Sequence, residues 1–157
     1  MIKKIWTLVT CVLILASAKS QPYYFTHYQV EHGLSNNVVL CSLQDKNGFM
    51  WFGTRDGLNR FDGYTFKTFQ SNFNSHSVLE SNYIRALKED KKGKMWVGTD
   101  QGLYIFDPLI EQFTLFHPDF KDEILDVQED QNNDMWFIND MKLYKYITKP
   151  VVHIKLC

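Results

Sequence analysis

The sequence predicts an all-β fold made of repeated four-stranded units, and three observations carry that reading. First, Trp51, Trp96 and Trp136 head nearly the same phrase three times: Asp45-Lys46-Asn47-Gly48-Phe49-Met50-Trp51-Phe52-Gly53-Thr54, then Asp90-Lys91-Lys92-Gly93-Lys94-Met95-Trp96-Val97-Gly98-Thr99, then Asp130-Gln131-Asn132-Asn133-Asp134-Met135-Trp136-Phe137-Ile138-Asn139. Self-similarity at a period of some 40 residues marks a repeat architecture. Second, 15% of the 157 residues are aromatic, while alanine occurs only at Ala16, Ala18 and Ala86. Few good helix formers and many aromatic residues favour strands over helices. Third, apolar runs of four to seven residues are separated by Asp-Gly and Asn-Gly turn signals. A helical bundle, a coiled coil and a doubly wound enzyme are thereby excluded.

Each element follows in order. Residues 1–18 read as a secretory signal peptide: Lys3 and Lys4, an apolar run from Ile5 to Leu15, and Ala16-Ser17-Ala18 as an A-x-A cleavage pattern. The run is shorter than the roughly 20 residues a membrane span needs. Residues 19–33 hold Tyr23-Tyr24-Phe25-Thr26-His27-Tyr28, which has the pattern of a fourth strand and reads as an N-terminal extra strand of the ring-closing type. Residues 34–70 form blade 1, with strands Val38–Gln44, Met50–Thr54, Leu58–Phe61 and Tyr64–Phe69. Residues 71–81 are a connecting loop, 82–116 blade 2, and 117–157 a degenerate blade 3 whose fourth strand is expected at Pro150–Leu156. Within the repeat, Asp45, Gly48, Gly53, Gly57, Asp90, Gly93, Gly98, Gly102 and Asp130 keep register with the tryptophans. The third copy lacks the glycines, at Asn133, Ile138 and Lys142. Val39, Ile84 and Ile124 stand six residues before each turn aspartate.

Four short strands every 40–45 residues describe a β-propeller blade. Each blade packs on a neighbour through both faces, which explains the aromatic load. Three blades fall short of the four or more that close a ring, so the ring is expected to be incomplete. An arc with two raw faces is expected to aggregate or express poorly, and truncation of a longer propeller is favoured over assembly of several copies.

The phrase Asp-x-x-Gly-x-Met-Trp-[Phe/Val]-Gly-Thr-x-x-Gly-Leu-x-x-Phe-Asp, preceded by Gly33-Leu34-Ser35-Asn36-Asn37, resembles the two-component regulator propeller repeats. The resemblance covers residues 23–147. It implies an extracytoplasmic, periplasmic sensor of the hybrid two-component histidine kinases of gut Bacteroides and relatives. In that family the repeats continue into two seven-bladed propellers. An immunoglobulin-like domain, a membrane helix, kinase domains, a receiver and an AraC-type DNA-binding domain follow. Many members respond to glycan breakdown products, so the implied partners are an oligosaccharide and a second copy in a propeller-mediated homodimer. This sequence carries no kinase histidine motif, no ATP-binding glycine boxes and no receiver, so it is read as non-catalytic. A secreted propeller of another family, or a truncated product without function, is the alternative.

The chemistry-bearing residues support that reading. A formal net charge of −1 argues against nucleic-acid binding, which needs a basic face. Asp130-Gln131-Asn132-Asn133-Asp134 has the look of a calcium loop but lacks its Gly at position six and Glu at position twelve. Turn geometry already calls for Asp and Gly there, so the aspartates are read as hairpin caps. A glycosidase needs two carboxylates converging about 5–10 Å apart, whereas repeated turn aspartates lie one per blade. The histidines, His27, His32, His76, His117 and His153, have no ligand spacing, and no cofactor or metal is expected. Cys41 is read as a free thiol in an apolar strand. Recognition is assigned instead to residues outside the repeat: Arg55, Asn59, Asn72, Phe73, Asn74 and His76, with Arg60 and Arg85 near strand ends. Aromatic rings stack on sugar faces and amides bond hydroxyls.

Overall fold

The structure, a computed structural model, describes Lys3, residues 23–71 and residues 79–147. The signal peptide apart from Lys3, Asn72, Phe73, Asn74, His76, the strand expected at Pro150–Leu156 and Cys157 lie outside the described residues. Within them the fold is all-β apart from one 3-10 turn at Val30–His32. Blade 1 holds β1 (Val39–Gln44), β2 (Met50–Thr54), β3 (Gly57–Phe61) and β4 (Phe66–Phe69). Blade 2 holds β5 (Ile84–Glu89), β6 (Met95–Thr99), β7 (Gly102–Asp107) and β8 (Gln112–Leu115). Blade 3 holds β9 (Ile124–Glu129), β10 (Met135–Asn139) and β11 (Lys142–Tyr146). Each sheet is antiparallel and runs in chain order, giving, among the described residues, an incomplete propeller of two four-stranded blades and one three-stranded blade.

The first strands lie side by side, β1 against β5 and β5 against β9, so they form the inner edge of the arc. Burial reports how many neighbours each blade has. β6, in the middle blade, is buried at all five positions, whereas β2 and β10 alternate because each outer blade has a neighbouring blade on one face alone among the described residues. Between blades 1 and 2 lie Trp51, Leu58, Phe69, Ile84, Val97, Tyr104 and Phe106. Between blades 2 and 3 lie Ala86, Trp96, Leu103, Ile124, Val127, Met135 and Phe137.

Turn chemistry explains how the degenerate third copy keeps its shape. Gly48 and Gly93 occupy the left-handed region at φ 90° and 81°, and Asn133 takes the same place at φ 68°. Asparagine is among the few side chains that tolerate this region. The second hairpin changes more. Blades 1 and 2 put positive φ at Gly57 and Gly102, just after a two-residue loop. Blade 3 puts it at Asp140 and Met141, the two loop residues themselves, which frees Lys142 to begin a strand. Two consecutive positive φ values mark the hairpin turn whose twist matches antiparallel strands.

The N-terminal segment departs from the expected extra strand. Residues 23–29 form no strand; Tyr23 and Phe25 are 87% and 95% exposed. A strand of the ring-closing type pairs with the last blade of a ring, and no described strand pairs with residues 23–29. Tyr28 instead sits on the outer face of blade 1, with ring centroids 5.0 Å from Phe61 and 5.6 Å from Phe66.

Gly53 and Gly98 have ordinary strand backbones and are needed for a close approach. A Cβ on Gly98 would stand 2.7 Å from Ile124 Cγ2, and one on Gly53 would stand 2.7 Å from Ile84 Cγ2. Gly98→Ala should therefore overpack the interface between blades 2 and 3 and cost about 1–3 kcal/mol in urea denaturation. Unchanged stability would mean the blades can slide apart freely.

Candidate functional site

Antiparallel topology gives the arc two ends. One carries the β1–β2 turns and their equivalents. The other carries the β2–β3 hairpins together with the blade-to-blade connections, and forms a rim. The repeated aspartates sit at the first end, and each does the same work. Asp45 Oδ1 accepts the Asn47 and Phe49 N–H groups at 2.9 and 3.0 Å, while Oδ2 accepts the Trp51 indole N–H at 2.8 Å. Asp90 takes Lys92, Lys94 and the Trp96 indole at 2.9, 2.9 and 3.2 Å. Asp130 takes Asn132, Asp134 and the Trp136 indole at 2.8, 3.0 and 3.0 Å. Both oxygens of each carboxylate are thus committed within its own blade, as caps. In blade 3 the Trp136 indole, the Asp134 N–H and the nearby Lys145 ammonium hold the Asp130 carboxyl down at about 2. No group of three His, Cys, Asp or Glu side chains among the described residues is placed to hold a metal ion.

Asn59, one of the candidates for recognition, is buried at 0% exposure. Its Oδ1 accepts the Ser35 N–H and the Thr68 hydroxyl, both at 3.0 Å. Its amino group donates to Ser35 Oγ at 2.7 Å and to the Gly57 carbonyl at 3.2 Å. Ser35 Oγ also lies 2.9 Å from Thr54 Oγ1. This clasp fastens the Gly33–Asn37 segment to blade 1. It places Asn59 inside the scaffold, because its strand position points into a covered face that periodicity alone did not reveal.

Arg55 stands on the rim. It is exposed in the β2–β3 hairpin, with its guanidinium carbon 5.8 Å from the Tyr83 ring centroid. The connection between blades 1 and 2 is tied to the same hairpin at both of its described ends. Gln70 Nε2 donates to the Asp56 carbonyl at 2.6 Å, the Ser71 N–H to Asn82 Oδ1 at 2.7 Å, and the Gly57 N–H to the Asn82 carbonyl at 2.7 Å. Gln70, Ser71 and Asn82 are therefore fixed beside the hairpin that carries Arg55, and Asn72, Phe73, Asn74 and His76 lie outside the described residues. Tyr83 and Glu123 complete the cluster and carried no sequence signal beyond their place just before Ile84 and Ile124. Arg85 packs on the other reach of Tyr83 at 4.5 Å and pairs with Glu123, and its Nε is buried without a hydrogen-bond partner among the described residues. Arg60, by contrast, lies over Phe49 and near Glu111, away from the rim.

A cleft of about 780 Å³ opens between blades 2 and 3, with Trp96, Phe116, Met135 and Tyr146 on its apolar side and Asp90, Lys92 and Lys94 at its mouth. It is the inter-blade layer left open where β11 has no further strand beside it among the described residues.

Two outcomes follow. The Asp130 carboxyl is lowered from 3.8 to about 2 in the folded chain, so it stabilises the fold above the ordinary carboxylate value and that contribution is lost as pH falls toward about 2. Urea midpoints of the parent should drop across pH 4 to 2, and Asp130→Asn should show a shallower slope over that window. Asn59→Ala leaves the half-buried Ser35 N–H and Thr68 hydroxyl without their acceptor and should cost about 1–3 kcal/mol by the same method. A neutral result would place Asn59 outside the scaffold after all.

The family described as the two component regulator propeller matches residues 33–56 and 78–101, the two copies that keep their glycines. The chain is 42% identical over 65 residues to Histidine kinase P4 of Formosa agariphila, covering 41% of this chain and 5% of that protein. Two extracellular domains assigned to two-component and one-component systems of B. thetaiotaomicron are similar in structure. One has 28% identity and a TM-score of 0.66 over 74% of this chain and 18% of its own. The other has 26% identity and a TM-score of 0.63 over 75% of this chain and 16% of its own. The WD40 propeller domain of Doa1, at 17% identity and a TM-score of 0.59 over 75% of this chain and 39% of its own, shares the fold alone. The chain thus spans a small fraction of the length of these relatives. No helix among the described residues is long and apolar enough to cross a membrane. In its repeated motif, its blades and these likenesses, the chain is similar to proteins built from two-component regulator propeller repeats.

Proposed function

We propose that this chain is a ligand-binding part of a periplasmic sensor of the hybrid two-component histidine kinase type, and that it recognises an oligosaccharide released from a larger glycan without acting on it. The observation that carries this reading is the division of labour along the blade. Repeated residues close turns and fill layers, and the unrepeated Arg55, Tyr83 and Arg85 converge on the rim, where a ligand can reach them. The similarity to extracellular domains of B. thetaiotaomicron signalling systems supports an exported location and a sensory role. Commitment of the turn aspartates to backbone and indole partners supports a non-catalytic role, since a hydrolase would need an acid and a base free to exchange protons.

The rim offers the two kinds of contact a sugar uses. The Tyr83 ring supplies an apolar face, and the guanidinium groups beside it supply planar donors for hydroxyl or carboxylate oxygens. Asn72, Phe73, Asn74 and His76 belong to the same connection in the sequence and remain candidates on sequence grounds alone.

Isothermal titration of the purified chain with a panel of defined neutral and acidic oligosaccharides tests the proposal. At least one should bind without being cleaved. Tyr83→Ala and Arg55→Ala should each weaken that binding about tenfold while leaving the unfolding midpoint in place. Binding that ignores both substitutions would move the site elsewhere. Release of shortened products would contradict the non-catalytic role.

A further inference from the structure

Carboxylates outnumber free cations on the rim around Tyr83. Register places Asp100 there. Thr99 pairs with Ile84, so Asp100, the next residue, lies beside Tyr83, the residue before that strand. Arg55 and Asp140 hold the same hairpin place in blades 1 and 3, where their N–H groups donate to the Val38 and Glu123 carbonyls at 3.2 and 3.3 Å. Blade 1 thus presents a cation at this place, and blades 2 and 3 present carboxylates. Asp56 follows Arg55 in the first hairpin and accepts the Asn82 amide at 3.4 Å. Glu80 joins them. The Tyr104 hydroxyl accepts its N–H at 3.3 Å, and burial, then the nearby Glu80 and Asp100 carboxylates, push the Tyr104 phenol up. Ion pairs use up the other charges: Arg85 is paired with Glu123, and Lys142 with Asp140. That leaves Arg55 against Asp56, Glu80 and Asp100.

Two buried polar atoms in the same cluster point to the chemistry that would meet them. Arg85 Nε, a donor, and Asp100 Oδ1, an acceptor, have no hydrogen-bond partner among the described residues. Buried polar groups are nearly always bonded. Both belong to side chains that still reach solvent, Arg85 at 31% exposure and Asp100 half-buried, so a small rotation of either brings the unmet atom to the rim surface. A sugar hydroxyl can donate to Asp100 and also accept from Arg85. A sugar carboxylate accepts only. It would leave Asp100 unmet and bring like charges together, which is unfavourable where water is displaced.

We propose that the rim around Tyr83 selects neutral oligosaccharides against those that carry uronic acids, and that Asp100 is the residue that sets this choice. The proposal rests on the reading of the rim as a sugar site. Tyr83 supplies the apolar face, Arg55 and Arg85 donate to hydroxyl oxygens, and Asp100 accepts from a hydroxyl. Glu123 acts through Arg85: it holds the guanidinium against the Tyr83 ring and cancels its charge, so that Arg85 offers hydrogen bonds without attracting an anion.

Isothermal titration of the full chain with matched pairs tests this. Each pair is a uronic-acid oligosaccharide and the same oligosaccharide with its carboxyl groups reduced to primary alcohols. In about 0.05 M salt the reduced member should bind about tenfold more tightly than its acidic counterpart. In about 0.5 M salt, where exposed charges are screened within a few ångströms, the gap should narrow. Asp100→Asn keeps the shape of the side chain and removes its charge. It should narrow the gap in low salt by tightening binding of the acidic member, with the unfolding midpoint unchanged. An acidic member that binds as tightly as its reduced counterpart, or more tightly, overturns the proposal and leaves the sugar reading standing. So does a neutral preference that salt does not alter, or one that survives intact in Asp100→Asn with the parent midpoint. If Asp100→Asn loses that midpoint, the salt dependence of the unmodified chain decides alone. Failure of every member of every pair to bind overturns the sugar reading, and this proposal with it.

Discussion

The hydrogen bond from a tryptophan indole to a turn aspartate, made once per blade, is the interaction on which the rest of this structure depends. It joins two things that must agree for a propeller to form. On one side, the carboxylate gathers two backbone N–H groups of its own turn and so fixes how the first strand reverses into the second. On the other, it accepts the indole and so fixes where the largest side chain of the blade lies. Asp45 is 7% exposed and Trp51 is fully buried. At such a site an unpaired carboxylate or N–H would be costly, so turn and packing hold each other in place. Once the tryptophan is set, Phe69 stacks on Trp51 and Phe106 meets it edge to face across the blade boundary.

From that anchor the arc extends by simple register. The pairing of β1 with β2 and of β5 with β6 carries the same irregularity at the same place, just inside Val39 and Ile84, and the β9–β10 pair shows its irregularity beside Ile124. That kink turns the branched residue toward the preceding blade. The glycine on the preceding second strand lets it enter. Turn, tryptophan, branched residue and glycine form a chain of dependencies that a period of 40–45 residues repeats, and the middle blade, buried on both faces, shows it most completely.

Much of this was legible in the sequence because the constraints are local. Asp, Gly and Trp recur at fixed offsets since each has one physical job: capping, left-handed backbone or close approach, and layer filling. What depends on neighbours was not legible. Tyr23–Tyr28 has the pattern of a fourth strand, but a strand also needs a partner edge, and no described strand pairs with it. Asn59 looks like a surface amide in a list of residues. Only the covering of its face by the Gly33–Asn37 segment makes it a buried clasp. The third copy lacks the glycine at Lys142, and Asp140 and Met141 adopt the positive φ values instead. On the rim, Arg55 was visible as an unrepeated polar residue, whereas its meeting with Tyr83 and Arg85 comes from the way a hairpin of one blade overhangs the first strand of the next.

The central claim is that the aspartate–indole pair organises every blade, including the degenerate third. Hydrogen exchange of the tryptophan Nε1–H protons, followed by nitrogen-15 correlation spectra of the full chain, tests it most directly. Trp51, Trp96 and Trp136 should all exchange slowly, and replacing the aspartate of one blade with alanine should release the indole of that blade first. Three indole protons that exchange at the rate of free tryptophan, or that ignore the loss of their own aspartate, would contradict the account.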